Sequence, residues 1–124
     1  MQYDHVGIPT TQKHEHEVWV EASRVWVTDA HKNPWGIEWL RYEPDSPVTG
    51  PLRDKPHIGF RVESREQIAQ LSQGMKVLIE PFDAGFCVAG FYEPEEGAIL
   101  ELAWYYDEMT AWAERVRPAP QQNP

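Results

Sequence analysis

An internal repeat constrains the fold of this chain more than any other feature of its sequence. Residues 4–8 (DHVGI) correspond to residues 56–60 (PHIGF), and residues 36–40 (GIEWL) correspond to residues 99–103 (ILELA), in the same order. Each half therefore begins with a His-x-Gly segment and ends with a segment in which a glutamate lies between apolar residues. A repeat of this kind predicts two similar supersecondary units that pack on each other.

Composition limits the class of protein and its partners. With 124 residues, 41% of them hydrophobic, the chain is predicted to form one compact domain with its own core. A formal charge of −9 argues against nucleic acid and against an anionic membrane surface as partners. No apolar run is long enough to span a membrane, and the N-terminus lacks the features of a secretory signal. Because a single cysteine cannot form an intrachain disulfide, we expect a cytoplasmic protein. The single cysteine, Cys87, lies in an apolar run and is expected to be a buried, inert thiol.

The second half has a clear pattern of elements, of which the first half is a shortened copy. Residues 65–73 are predicted to form a helix that begins after Ser64 as N-cap and ends before Gly74. The pattern β-α-β-β-β places strands in the second half at 57–62, 76–79, 86–92 and 98–105. The first half has strands at 3–8 and 37–42, and residues 18–20 and 25–27 form either two strands or one bent hairpin. Little or no helix is predicted between residues 8 and 18.

We therefore predict an α+β fold, in which two βαβββ modules form a curved mixed sheet around a cleft. The predicted single domain spans residues 1–117, with module one at about 1–43, a proline-rich linker at 44–55 and module two at about 56–105. A helix at about 107–116 would present an apolar side of Met109, Trp112, Ala113 and Val116 to the sheet or to another subunit. The remaining residues, 118–124, are predicted to be a disordered tail.

Alternation along the strands places the repeated polar residues on one face. In the His-x-Gly strands, His5 and His57 point away from the apolar side chains that flank them. In the last strand of each half, large apolar residues flank the glutamate, which is Glu38 in the first half and Glu101 in the second. A buried carboxylate needs a compensating partner, and a divalent ion shared with two imidazoles would compensate both. The alternative is that each of the four reaches solvent or pairs with an arginine.

Other polar residues are weaker candidates. The tract His14-Glu15-His16 has chelating residue types but lies in a polar segment with little pattern, and His31 is expected to be solvated in a turn. Arg61 lies on the same predicted face as His57, so it could bind an anionic substrate group or pair with a nearby carboxylate. The sequence contains no glycine-rich phosphate loop and no nucleophile elbow.

These segments resemble the vicinal oxygen chelate superfamily, which includes glyoxalases, bleomycin-resistance proteins and extradiol dioxygenases. The resemblance rests on residues 4–8, on residues 56–62 and most specifically on residues 91–102 (FYEPEEGAILEL). It implies a divalent metal ion (Ni, Co, Zn, Mn or Fe) held by His5, Glu38, His57 and Glu101.

The two-histidine, two-glutamate set is closest to the glyoxalase I pattern. It implies a metal-dependent lyase or isomerase that abstracts a proton next to a metal-bound carbonyl of a small oxygenated substrate, with Glu101 or Glu38 as the base. The resemblance also implies a homodimer. The alternatives are a metal-free small-molecule binding protein of the bleomycin-resistance type and a small metal-dependent dioxygenase.

Overall fold

The protein folds around one eight-stranded mixed sheet that curls into a half-barrel. The computed structural model describes residues 1–95 and 97–106. The strands are β1 (Gln2–Pro9), β2 (Val18–Val20), β3 (Val25–Val27), β4 (Ile37–Tyr42), β5 (His57–Arg61), β6 (Lys76–Asp83), β7 (Cys87–Glu93) and β8 (Leu100–Tyr105). The predicted α+β class, with a curved mixed sheet and little helix, is confirmed.

The strand order is the same in both halves, counted outward from the centre of the sheet. The sheet runs β2-β3-β4-β1-β5-β8-β7-β6. At its centre β1 and β5 are antiparallel, and each pairs on its other side in parallel with the last strand of its own half, β4 or β8. The first strands of the two halves therefore lie side by side, so that their side chains are neighbours at the middle of the sheet.

Among the described residues the helices are few and short. They are α1 (Pro51–Asp54), α2 (Arg65–Leu71) and two single 3-10 turns at Glu21–Ser23 and Ala30–Lys32. Ser64 is the N-cap of α2, as predicted, but its side chain makes no capping hydrogen bond; the side chain of Gln67 instead accepts one from the backbone N–H of Glu63. The linker predicted at 44–55 contains α1. The helix predicted at 107–116 and the tail predicted at 118–124 lie outside the described residues.

The inner face of the curled sheet brings the two halves into contact. Its largest apolar cluster combines β2, β3 and β4 of the first half with β7, β8 and the residue before β7 in the second. Its buried members are Val18, Val20, Val25, Val27, Leu40, Phe86, Cys87, Ala89 and Ala103. Cys87 is buried within this cluster, as the sequence predicted.

The outer face is covered differently in the two halves. In the second half α2 packs Ile68 against a buried cluster that includes Val88 and Leu102. In the first half residues 10–17 contain no helix and lie over the sheet as a loop. That loop is fixed by an ion pair between Glu17 and Arg41 (2.6 Å) and by the stacking of the His14 ring on Trp39. Within the described residues, no helix has the length and apolar character needed to cross a membrane.

Candidate metal centre

Strand register brings His5, Glu38, His57 and Glu101 into two parallel rows across the sheet. Gly7 is the central residue of one row, with Glu38 opposite it on β4 and His57 opposite it on β5. Gly59 is the central residue of the other row, with His5 on β1 and Glu101 on β8. Each row therefore combines a histidine from one half with a glutamate from the other. Neither half alone contains a complete row.

The two glycines make room for the two histidines. A Cβ atom at Gly7 would overlap the ring of His57, and a Cβ atom at Gly59 would overlap the ring of His5. Each glycine thus provides the space for the histidine of the other half, because the central strands are antiparallel. The His-x-Gly repeat is explained by this reciprocal packing: the third residue must lack a side chain for the opposite imidazole to lie against the strand.

The four side chains are buried and their donor atoms converge. None is more than 9% exposed. One donor atom from each of the four lies within 4.8 Å of the other three. The Nε2 atoms of His5 and His57 are 3.3 Å apart, and each lies 2.9 Å from Oε1 of Glu101. Oε1 of Glu38 lies 3.5 Å from Nε2 of His5.

These distances fit a single divalent ion. Ligand bonds to such an ion are about 2.0–2.2 Å long, so two donors on one ion lie about 3 Å apart when adjacent and about 4 Å apart when opposite. The distances given above, 2.9 to 3.5 Å, are those of adjacent donors, and all four donor atoms lie within 4.8 Å of one another. Imidazole with carboxylate is a donor set that Zn, Ni, Co, Mn and Fe accept. The cluster could therefore hold a metal ion.

Without an ion, the positive charge that compensates these carboxylates is that of His5. Burial by itself would lower the pKa of His5, but the negative charges of Glu38 and Glu101 outweigh it and raise the pKa well above the ordinary value. Burial would raise the pKa of Glu101, yet the charge and hydrogen bond of His5, with those of His57, hold it below its usual range. A metal ion would have to displace the proton from His5.

Asp4 orients His5, and it can do so because β1 carries a bulge. Tyr3 pairs with Phe60 and His5 pairs with Gly59, so Asp4 is an extra residue opposite no partner. Its carboxylate accepts a hydrogen bond from Nδ1 of His5 (2.7 Å) on the same side of the strand. An imidazole ligand whose second nitrogen donates to a carboxylate is held in one tautomer and one orientation.

Asp4 is itself the centre of a hydrogen-bonded polar group. His31, whose side chain is 44% exposed, donates to it through Nε2 (2.8 Å), and the hydroxyl of Tyr105 donates to it at 2.9 Å. Although burial would raise the pKa of Asp4, the hydrogen bonds of His31 and His5 hold it far below its usual range. His31 was expected to be solvated in a turn; it is partly exposed but bonded to this carboxylate.

Arg61 belongs to the same polar group. Its guanidinium lies 3.4 Å from Oδ1 of Asp4 and stacks over the ring of Tyr105, 4.1 Å from the centroid. Of the two roles that the sequence left open for Arg61, the structure shows the pair with a nearby carboxylate, and binding of an anionic substrate group stays a prediction. The residues His14 and His16 do not join the centre; they line a separate surface depression with Trp39.

The second histidine has different surroundings. The Nδ1 atom of His57 is buried and has no hydrogen-bond partner among the described residues, and its ring packs edge-on against Phe91 at 5.1 Å between centroids. His57 is therefore positioned by an aromatic contact and by the space at Gly7, whereas His5 is positioned by a charged hydrogen bond.

An inner cavity of about 50 Å³ lies beside the cluster, bordered by Glu38, His57 and Glu101. Tyr42 also lines it, and burial together with the charges of Glu38 and Glu101 raises the pKa of its hydroxyl. A larger surface cavity of about 570 Å³, here called the vestibule, adjoins it. The two cavities share the lining residues Ser23, Val48, Leu52, Ile79 and Phe82. The vestibule therefore borders the inner cavity along these residues.

Comparison with known proteins bears on the fold alone. No protein-family model and no curated protein matches this sequence. The fold has a solved counterpart. The hypothetical protein BH1468 from Bacillus halodurans C-125 is similar over 86% of this chain and 96% of its own, with a TM-score of 0.64 and 19% sequence identity. At this identity the similarity shows a shared fold and carries no information on activity.

Proposed function

We propose that this protein is a glyoxalase-like member of the vicinal oxygen chelate superfamily, built of two βαβββ modules of which the first lacks its helix. We further propose that it is a divalent-metal-dependent lyase or isomerase. The observation that carries both proposals is the cluster itself: two histidines and two glutamates, buried at repeat-equivalent positions, with converging donor atoms. The identical strand order of the two halves supports the modular assignment.

The ligand set favours this reaction over the alternatives within the superfamily. The resemblance associates two histidines with one glutamate for dioxygenases, whereas here Glu38 joins the cluster beside Glu101. A second carboxylate is also what proton abstraction needs, because one can remain on the ion while the other acts as base. A metal-free binding protein would have no use for four converging, buried, ionisable donors, whose burial is costly without a cation.

When bound, the ion would act as a Lewis acid that polarises a substrate carbonyl and stabilises the negative charge developing as the adjacent carbon loses its proton. His5, His57 and Glu101 would hold it, since Glu101 lies 2.9 Å from both imidazoles. Glu38 lies farther from His5, at 3.5 Å, which favours it as the base that takes the proton. In an isomerase Glu38 would return that proton to the neighbouring carbon. The apolar walls of the inner cavity would limit the access of water.

The first experiment measures metal directly. Untagged protein would be analysed for metal as purified, stripped with a chelator and titrated with Ni, Co, Zn, Mn and Fe. We expect one ion per chain, with affinity that falls as the pH is lowered because protons compete for imidazole and carboxylate. Substoichiometric metal that none of the five restores would contradict the proposal and favour the metal-free binding protein.

The second experiment tests the chemistry. Small 2-hydroxyaldehydes and 2-hydroxyketones would be incubated with loaded protein in D₂O, and exchange at the carbon next to the carbonyl followed by NMR. We expect exchange that Glu38→Gln abolishes while the protein keeps its metal. Glu15→Gln, at an exposed glutamate outside the cluster, is the matched control. Equal exchange by Glu38→Gln and the native protein would refute Glu38 as the base.

A further inference from the structure

The vestibule combines an apolar floor with positive charge at its rim. Its apolar lining comes from the linker, from β6 and from the residue before β8, and includes Val48, Leu52, Leu78, Ile79, Phe82 and Ile99. Lys55, directly after α1, and Lys76, at the start of β6, both line it. A cavity of this composition is complementary to a molecule that has an apolar body and an anionic end.

The two lysines are unusual for this chain. The sequence has four lysines and a net charge of −9, yet two of the four border one cavity. Within the part of the chain that the structure describes, neither ammonium group has a hydrogen-bond or ion-pair partner. In an acidic protein, two cations held beside an apolar cavity without a protein partner raise the local concentration of anions there.

One carboxylate also reaches this rim. Glu93 is the cross-strand partner of Lys76, and its Oε2 accepts a hydrogen bond from the backbone N–H of Gly97 (3.3 Å). Like the lysines, Glu93 lines the vestibule. Two ammonium groups and one carboxylate line this cavity, so the charge of its lining residues is net positive.

We propose that the vestibule binds an amphipathic carboxylate, whose carboxylate lies at Lys55 and Lys76 and whose apolar chain lies on the vestibule floor. The far end of that molecule would pass Val48 and Leu52 into the inner cavity, where about 50 Å³ admits only a few atoms. This inference rests on the proposed function in one respect, namely that the ligand is the substrate of the metal centre. In this proposal the two lysines, and not Arg61, recognise the anion, because Arg61 pairs with Asp4.

The first test needs no metal. Chelator-treated protein would be titrated calorimetrically with octanoate and with octanamide, which share the apolar chain and differ in charge. We expect octanoate to bind about tenfold more tightly. The double variant Lys55→Ala/Lys76→Ala should bind the two equally, whereas Lys13→Ala, a lysine outside the vestibule, should keep the preference. Equal binding by the native protein, or a preference that survives the double variant, would overturn the inference. Both lysines are exposed, and a circular dichroism melt checks that the variants fold.

The second test separates this inference from the proposed function. Nickel-loaded protein would be titrated with octanohydroxamate and with the analogue that carries a carboxylate in place of the terminal methyl group. Hydroxamate binding that depends on nickel reports the metal centre, and the advantage of the carboxylate analogue reports the vestibule. Metal-dependent binding with no such advantage overturns the inference and leaves the metal centre standing. A preference for octanoate in a protein that binds no nickel supports the vestibule and overturns the proposed function.

Discussion

The two halves of the molecule are alike inside the curled sheet and different outside it. Inside, each contributes one histidine, one glutamate and one glycine at equivalent register positions. Outside, the second half is covered by α2 and its buried Ile68, while the first is covered by a loop fixed through Glu17 and Arg41. The side chains that meet at the centre are therefore specified by strand register, which the halves share, and not by what packs behind the strands.

The likeness is also incomplete at the centre itself. Nδ1 of His5 donates a hydrogen bond to Asp4, which has hydrogen-bonded partners of its own, whereas Nδ1 of His57 has no partner among residues 1–95 and 97–106. The two imidazoles thus present the same Nε2 atom to the cluster with different support. A histidine held by a carboxylate is the more basic and better oriented ligand. Mutations can show how far the two halves contribute equally.

The largest expected effect comes from deleting donors. His57→Ala or Glu101→Ala should lower metal affinity by more than about 100-fold, because each removes an atom that would contact the ion directly. Glu38→Ala should be the least damaging change among the four donors, since the carboxylate of Glu38 lies 3.5 Å from Nε2 of His5 whereas that of Glu101 lies 2.9 Å from it. Affinity would be measured by chelator competition.

His16→Ala is the control for these deletions, because His16 is highly exposed and lies outside the cluster. It should leave metal affinity unchanged. Full affinity in His57→Ala would show that the four donors are not a metal site, and the fold would then be retained without the proposed chemistry.

The next effect in size comes from filling the two glycine positions. Gly7→Ala should displace His57, and Gly59→Ala should displace His5, so both should lose most metal affinity. Each overlap should also cost about 1–3 kcal/mol of unfolding free energy in metal-free protein. Because His5 is bonded to Asp4, we expect Gly59→Ala to be the more destabilising, as measured by urea denaturation. Native metal affinity in either variant would contradict the reciprocal packing.

A smaller effect is expected behind His5. Asp4→Asn should lower metal affinity about 10–100-fold, because the amide no longer stabilises the ligand form of His5. It should also shift the pH at which affinity is half lost, which a purely structural change would not do. Asp45→Asn, which alters an exposed carboxylate paired with Arg24, is the control. An Asp4→Asn protein with native affinity would show that the two histidines are equivalent despite their different support.

The smallest effect is expected on the outer face of the first half. Burial would raise the pKa of Glu17, but its hydrogen bond with Arg41 outweighs this and lowers it from 4.5. The pair therefore stabilises the fold above about pH 4.5, and that contribution is lost as the pH falls through the lower folded pKa. Glu17→Gln should lower the free energy of unfolding by about 1 kcal/mol at pH 7 and should leave it unchanged once the carboxylate is protonated. A pH-independent difference in unfolding free energy would refute this.

Much of the centre could be predicted because strands have a period of two. Alternation alone put His5 and His57 on one face, and the repeat added Glu38 and Glu101, all of which meet in the structure. The coarse fold followed from the same pattern. What could not be predicted is which strands are neighbours, because pairing between β1 and β5 depends on contacts about 50 residues apart, which local pattern does not report.

The residues that could not be predicted from the sequence depend on a position where the alternation of side chains along a strand is interrupted. Asp4 precedes His5 and should face the opposite side, but the bulge at this position turns its carboxylate to the same side. Nothing in the local sequence marks that bulge. Asp4 then recruits His31 from a turn and Tyr105 from the far end of the chain, a grouping that only the folded topology creates.

The cross-over of histidines and glycines between halves ties ion binding to folding. His5 and Glu101 are 96 residues apart in sequence, so an unfolded chain offers no preformed set of donors. An ion that binds only the folded chain adds about 1.4 kcal/mol of stability for each tenfold excess over its dissociation constant. The ion would then act as a reversible cross-link between the halves, and the melting temperature of the protein would track the free metal concentration around it.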